Sequence, residues 1–387
     1  MTRRELLAGA AAIAVLPEHE DAWAPVVKLI QDGLDAGDYP GAGVIAMRDG
    51  RVRFERYWGV YLGLHGDPAM AAGVRHPLYS FCKLVSSTVV AMAAQDGLVD
   101  YAAPVSRYVP EFAAQGKGAV TIRHLLTHSA GIPGVPLTAV RNEEEWAAAV
   151  RAVCAAPLEW APGSRSAYHA LTGLFTAAEC VRRASGGATW EAICRKRLFG
   201  PLGVRSLSFA TPDDASATAI VPRPKARPTT YASAFGLSGH PAGGGYGTLR
   251  DALKVVQLHT QKGVWNGRAL LKPEVWAEMH RVQYGAEIAA ARASGKDPSF
   301  EPWGLGPLLR GPGRAEPSSG WFGFANQTGP AVFGHAGIDT VIGVGDPDTG
   351  CSLLFVTSDS PKPPERVVPL RCGVTDRVME ALKPKRG

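Results

Sequence analysis

Segments with strand-forming patterns lie at both ends of this 387-residue chain, and helix-forming segments fill the middle. Near the N-terminus, residues 41–59 contain two β-rich runs around Asp49-Gly50, a dipeptide typical of two-residue hairpin turns. Near the C-terminus, residues 321–359 are predicted to form further strands, with a second hairpin turn in the DPDTG segment. Since an isolated hairpin cannot bury its apolar face, the two ends are expected to share one sheet.

The middle of the chain has helical periodicity interrupted by glycine and proline. Residues 21–36 predict an amphipathic first helix, and residues 363–382 predict a terminal one. A Pro/Gly-rich stretch, 298–320, predicts a long surface loop. The expected fold class is α/β (α+β), with a central antiparallel sheet flanked by helices and an inserted, mostly helical lobe. The expected units are an N-terminal segment, a sheet domain and the lobe, at residues 1–20, 21–79 with 245–387, and 80–244.

Composition excludes several classes of protein. Hydrophobic residues make up 46% and charged residues 20%, which is ordinary for a globular domain. The net charge of +6 comes from basic residues spread along the chain, so we expect no nucleic-acid partner. Six cysteines without a CxxC pair and ten histidines without HExxH predict no metal site and no cofactor. Beyond the N-terminal segment no apolar run is long enough to predict a membrane span.

The first twenty residues, MTRRELLAGAAAIAVLPEHE, allow two interpretations. A twin arginine before a short apolar run is typical of a Tat export signal. However, no A-x-A cleavage site precedes a clear mature start, and the folded domain is predicted to begin at once. The alternative is a helix that docks on the domain, which we favour together with a cytoplasmic location.

Ser80 and Lys83 form the only SxxK motif in the chain. They open a predicted helix that begins at Ser80 and ends at Gly97. Residues three apart on a helix share a face, so the two side chains can touch. A lysine can activate a serine hydroxyl if burial lowers its pKa towards neutrality, and the start of a helix favours developing negative charge. The spacing alone leaves a second reading open, in which Ser80 caps a helix and the lysine is solvated.

Five further segments, together with the SxxK motif, resemble one superfamily of proteins over most of the chain. In order and spacing over residues 21–382, the chain resembles the serine β-lactamase and penicillin-binding-protein superfamily, in particular class C β-lactamases and their esterase and transacylase relatives. The segments that carry it are TIRHLLTHSAGIPG (121–134), WAPGSRSAYHALTGLFTAAECVRRASG (160–186), RLFGPLGVRSLSF (197–209), AGGGYGTLRDALKVVQLHTQKG (242–263) and FGHAGIDTVIGVGDPDTGCSLLFVTSD (333–359).

The resemblance implies catalytic roles at matching positions. Ser80 becomes the acyl-accepting nucleophile and Lys83 its proton acceptor or electrostatic partner. Tyr168 matches the tyrosine that shuttles the proton, with a core tyrosine as the plain alternative. His335 stands where lactamases have the lysine of Lys-Thr-Gly and many relatives have histidine; a strand-edge histidine is the alternative. The backbone N–H groups of Ser80 and Ile338 would form the oxyanion hole.

The substrate contacts implied by the resemblance are less complete. Ala336 and Gly337 would line the site beside His335, and His169 follows Tyr168. The family's YxN carboxamide is absent, because Ala170 stands in its place. Trp58, Trp303, Trp321 and Phe322 could line an acyl pocket, although plain core packing is the simpler expectation for each. His128 is expected to be structural, bonding a turn.

These departures make an ester, or an amide recognised differently, a better expected substrate than a β-lactam. The leading hypothesis is a carboxylesterase-like hydrolase that forms an acyl-enzyme on Ser80 from a small-molecule substrate. A transacylase that passes the acyl group to an amine or alcohol without ATP is one alternative. A penicillin-binding or sensor-type protein without efficient turnover is the other.

Overall fold

The computed structural model describes most of the chain. The described residues are 20–61, 69–135, 140–210, 238–310, 328–338 and 340–383. Residues 1–19 of the N-terminal segment, with its possible signal, the predicted strand over 321–327, Trp321 and Phe322 lie outside them.

A six-stranded antiparallel sheet forms the centre of the fold. From one edge to the other its strands are β2 Arg51–Gly59, β1 Gly41–Arg48, β10 Cys351–Thr357, β9 Val341–Asp346, β8 Phe333–Gly337 and β7 Leu308–Leu309. The N-terminal hairpin pairs through β1 with β10 near the C-terminus, with Val44 opposite Phe355. The predicted central sheet assembled from both chain ends is therefore confirmed. Two short ladders lie outside this sheet and pair β3 His76–Pro77 with β4 Tyr246–Gly247 and β5 Val264–Trp265 with β6 Arg268–Ala269.

The first hairpin turns where its sequence predicts. Asp49 and Gly50 both have positive φ, 50° and 75°, which is the backbone of a tight two-residue hairpin turn. The register of β1 against β2 shifts between Ala46 and Met47. Such a bulge bends the strand and increases its twist.

Helices cover both faces of the sheet. Along β1, Val44 and Ala46 belong to one apolar cluster while Ile45 and Met47 belong to the other, as the two-residue period of a strand requires. The first cluster lies under the first and last helices, and the second lies under the central ones. The helices are α1 Glu20–Asp35, α2 Cys82–Gln95, α3 Ile122–Leu126, α4 Glu143–Ala155, α5 Thr172–Ala184, α6 Trp190–Cys194, α7 Gly200–Leu202, α8 Leu249–Thr260, α9 Pro273–Met279, α10 Gly285–Ala293 and α11 Val367–Leu382.

The helix α2 is buried on every side, with residues 82–93 all inside the protein. A helix that is buried all round is typical of the centre of a large domain. It follows a short 3₁₀ turn, Tyr79–Phe81, in which Tyr79 has φ of 46°. The predicted helix from Ser80 to Gly97 is thus present, but Ser80 lies in the tight turn before its first α-helical residue.

Two parts of the C-terminal half differ from expectation. The stretch 298–320 is not only a surface loop, because Leu308–Leu309 pair with Phe333 and Gly334 as the edge strand of the sheet. A strand of two residues is too short to show alternation in the sequence. The helices α9 and α10 were also not predicted. Both are short, and the alanines of α10 give no clear apolar periodicity, although alanine itself favours a helix. The domain boundaries at residues 80 and 244 stay a prediction.

Candidate functional site

The side chains of Ser80 and Lys83 are in contact. Lys83 Nζ donates to Ser80 Oγ at 2.8 Å and to the carbonyl oxygen of Ala242 at 2.9 Å. Only 1% of the lysine surface and 8% of the serine surface are exposed. The alternative of a solvated lysine beside a helix cap does not fit this burial.

Burial changes the acidity of Lys83. It lowers the pKa of the ammonium group from 10.5 to about 7, while the neighbouring Cys82 acts in the opposite direction. Because the charged form is disfavoured away from water, the neutral amine is accessible near pH 7. A neutral amine 2.8 Å from Ser80 Oγ can accept the hydroxyl proton.

The carbonyl that accepts from Lys83 belongs to a glycine-rich loop, residues 240–245, which lies beside α2. Ser86 Oγ donates to Pro241 O at 2.7 Å and so contacts the same loop from the next turn of the helix. At Gly244 a Cβ atom would lie 2.2 Å from the His240 nitrogen. This close backbone approach requires glycine, and it lets the loop hold Ala242 against the lysine.

Tyr168 completes the contacts of the nucleophile. Its hydroxyl donates to Ser80 Oγ at 2.8 Å, and its ring centroid is 5.1 Å from Lys83 Nζ. The tyrosine lies in the loop before α5, where the Ala167 amide donates to His128 O at 2.9 Å. Ser80 Oγ therefore has an amine and a phenol at hydrogen-bond distance.

His128 supports the tyrosine from behind. Its ring centroid lies 4.8 Å from that of Tyr168 and 4.6 Å from that of Trp303. Its Nδ1 accepts from the His169 amide at 3.3 Å, and burial, followed by Lys83, lowers its pKa well below 6.5. His128 therefore packs as a neutral ring. Its backbone has a positive φ of 54°. It bonds the loop as expected, but its contact with Tyr168 was not predicted.

The strand β8 presents His335 to the site. The imidazole is 1% exposed, and its ring centroid lies 6.3 Å from that of Tyr168 and 6.0 Å from that of Trp303. Burial, and secondly Lys83, lower its pKa to about 3. His335 is therefore neutral near pH 7. Where lactamases have a lysine, this chain has an uncharged ring.

The end of β8 lies against the turn that carries Ser80. A Cβ atom on Gly337 would be 2.5 Å from the carbonyl oxygen of Leu78 and 3.1 Å from Tyr79 Cβ. Ala336 is buried beside it, and Ile338, the first residue after the strand, is half-buried. The strand end and the nucleophile turn can approach this closely only because residue 337 has no side chain.

His169 points to a different group of side chains. Its Nε2 is 3.4 Å from Glu159 Oε2, and its ring stacks on Trp160 with 5.1 Å between centroids. The guanidinium of Arg165 lies 4.3 Å from the same tryptophan ring. Burial lowers the pKa of His169, and Glu159 opposes the shift. The expected role in substrate binding stays a prediction.

Of the four aromatic candidates for an acyl pocket, two are described. Trp303 contacts His128 and lies beside Tyr168 with 6.0 Å between centroids. Trp58 instead packs near Phe54 in the apolar cluster under α1 and α11. Over the described ranges, no three His, Cys, Asp or Glu side chains are arranged to hold a metal ion. Within those same ranges, no helix has the length and apolar character to span a bilayer.

Comparison with known proteins agrees with this arrangement. A model of the Beta-lactamase family matches residues 26–371. The chain is 28% identical over 315 residues to Esterase/beta-lactamase LipL of Mycobacterium tuberculosis, which covers 72% of this chain and 68% of LipL. A penicillin-binding protein homologue from Caulobacter crescentus superposes with a TM-score of 0.73 at 21% identity, over 95% of this chain and 98% of that one.

A second solved structure is EstCE1, described as a hydrolase with promiscuous acyltransferase activity. It has a TM-score of 0.73 at 18% identity and covers 92% of this chain and 98% of its own. The family match spans most of the chain, which confirms the resemblance and the predicted fold class. The chain therefore belongs to the Beta-lactamase family, and it is a serine hydrolase of that family.

Proposed function

We propose that this protein cleaves a carboxylic ester through a covalent acyl-enzyme on Ser80. One observation carries the proposal: Ser80 Oγ lies 2.8 Å from both Lys83 Nζ and Tyr168 Oη, and the lysine is buried with a pKa of about 7. A serine between a neutralised amine and a phenol has both a proton acceptor and a proton donor at hand.

In the first half-reaction, the neutral amine of Lys83 accepts the Ser80 proton while Oγ bonds to the ester carbonyl carbon. The carbonyl oxygen becomes an oxyanion, which the N–H groups of Ser80 and Ile338 stabilise. As the carbonyl re-forms, the bond to the leaving alkoxide breaks. Tyr168 donates a proton to that oxygen and recovers one from the Lys83 ammonium, so an alcohol leaves and the acyl group stays on Ser80.

In the second half-reaction, a water molecule attacks the acyl carbon. Its proton passes through Tyr168 and Lys83 to Ser80 Oγ, which leaves as the acyl group departs as a carboxylic acid. The same two side chains thus act in reverse order, and the site returns to its starting protonation.

The surroundings favour an ester over a β-lactam. His335 is neutral, so it supplies no cation for an antibiotic carboxylate. Ala170 supplies no carboxamide for a substrate amide. An ester without a charged group beside the carbonyl needs neither contact. The relative LipL is described as an esterase as well as a β-lactamase.

Intact mass after seconds of mixing with a short activated ester tests the proposal. Wild type should gain one acyl group, while Ser80→Ala should gain none. Ser87→Ala is the matched control, because Ser87 is buried on the same helix and bonds its own helix at Leu84 O. Equal adducts on wild type and Ser80→Ala would rule out Ser80, and an adduct that never decays would favour the sensor-type alternative.

A transacylase is the second candidate. The low exposure of Ser80 and Lys83 restricts bulk water at the nucleophile, and such exclusion is what lets a bound acceptor compete. Adding a primary amine or an alcohol to the decaying acyl-enzyme separates the two. Faster decay that saturates with acceptor, with formation of an amide or a new ester, would establish transfer; constant hydrolysis across acceptors would exclude it.

A further inference from the structure

We propose that Arg371 is a positioning residue for the oxyanion hole, which extends the function proposed above and rests on it. Arg371 belongs to the terminal helix α11 and is 5% exposed. Its Nη2 donates to Gly337 O at 2.6 Å and to Val341 O at 3.2 Å. One buried guanidinium thus joins the end of β8 to the start of β9, across the turn that contains Ile338.

The planarity of the peptide bond makes this contact specific. Gly337 O and the Ile338 N–H belong to the same peptide unit, and in a trans peptide they point in opposite directions. Holding the carbonyl towards α11 therefore directs the amide away from that helix. The Thr340 amide donates to Ile338 O at 2.6 Å, which fixes the next peptide unit of the turn.

Gly337 also packs against the residues that lead into Ser80. Leu78 O would lie 2.5 Å from a Cβ atom on Gly337, so the turn that contains Ser80 packs directly against it. The end of β8 therefore lies between Arg371 and the turn that contains Ser80. An amide directed away from Arg371 is thereby directed towards the Ser80 turn.

Charge adds to the geometric effect. A hydrogen bond from a guanidinium to a buried carbonyl is stronger than a neutral one and polarises the peptide unit. The N–H at the other end of that unit becomes a better donor to a developing oxyanion. Arginine suits this place because it stays charged at every working pH and its planar group can reach two carbonyls.

Arg371→Met tests the proposal, with Arg371→Lys beside it and Arg377→Met as the control. Arg377 belongs to the same helix and bonds only its own turn, at Gly373 O, among the contacts described. The acylation rate constant is measured with an ester and with its thionoester, whose sulfur accepts weakly from oxyanion-hole donors. Circular dichroism and the melting temperature report the fold.

We expect Arg371→Met to acylate roughly tenfold to a hundredfold more slowly with the ester, which is less than the loss of an oxyanion-hole donor because the Ile338 N–H is misdirected and not removed. The ester-to-thionoester ratio should fall as well, which a general loss of stability would not cause. Arg371→Lys should recover part of both, and Arg377→Met should match wild type.

A folded Arg371→Met with a wild-type ratio would overturn the inference while leaving Ser80 acylation intact. If that variant does not fold, Arg371→Lys decides, and a wild-type ratio in it has the same meaning. If wild type itself is not acylated on Ser80, the proposed function fails, and the inference fails with it. The two failures are therefore distinguishable.

Discussion

Replacing Lys83 with methionine should change how the free energy of unfolding depends on pH. In the unfolded chain the lysine keeps its proton up to about pH 10.5, whereas in the folded protein it loses the proton above about pH 7. Between these values the unfolded state binds more protons, so the wild type gains stability as pH rises. The cost of burying the ammonium is complete below pH 7 and disappears above about pH 10.5.

The size of the effect follows from the pKa difference. Each pKa unit corresponds to more than 1 kcal/mol, so from about pH 7.5 to about pH 9.5 the wild type should gain roughly 2–3 kcal/mol relative to Lys83→Met. Urea unfolding followed by circular dichroism at several pH values measures this difference. Lys28→Met is the control, because the Lys28 side chain is 75% exposed and its burial cannot contribute. If the difference in free energy of unfolding between wild type and Lys83→Met stays constant with pH, Lys83 is charged in the folded protein. It then cannot be the base that accepts the Ser80 proton.

Three other substitutions test separate parts of the structure. Tyr168→Phe should keep the fold and lower turnover about 10²-fold or more, measured by steady-state kinetics, and near-normal turnover would reject the tyrosine as proton shuttle. Gly337→Ala should abolish acylation by displacing the Ser80 turn, because its Cβ would lie 2.5 Å from Leu78 O; a normal acyl burst would contradict this. Lys117→Met should lower stability by about 1–3 kcal/mol and leave acylation unchanged, because the fully buried amine bonds two carbonyls at the end of α4. An unaltered melting temperature would contradict that role.

Local patterns were enough for the parts of the fold that depend on neighbours in sequence. The Asp49-Gly50 turn was predictable because few residues tolerate two consecutive positive φ angles. The pairing of the two chain ends was predictable because neither group of strands could bury a face alone. The contact between Ser80 and Lys83 was predictable from their spacing on a helix turn.

The rest of the site depends on contacts between distant residues. Ala242 accepts from Lys83 across 159 positions, and no periodicity in the sequence connects them. Spacing alone would not have selected Tyr168; only the family resemblance did. No sequence pattern indicated that Arg371 is buried, because an arginine in an amphipathic helix is ordinarily solvated.

Three buried basic side chains show why lysine and arginine are not interchangeable in this fold. Lys83, Lys117 and Arg371 each donate to at least one backbone carbonyl inside the protein. The carbonyl oxygens that accept from the two lysines are uncharged, so they satisfy the donor without stabilising the cation as a carboxylate would, and burial lowers the pKa of both lysines. Lysine can respond to this by becoming neutral, whereas arginine stays protonated.

This difference matches the roles proposed for the two residues nearest the reaction. Accepting a proton from Ser80 requires a group that can be neutral near pH 7, as the lowered pKa of Lys83 allows. Directing a peptide towards an oxyanion requires a charge that persists while protons move nearby, as Arg371 supplies. Lys83→Arg would therefore keep a cation beside Ser80 and remove the base, so the same burial that favours catalysis by lysine would prevent it with arginine.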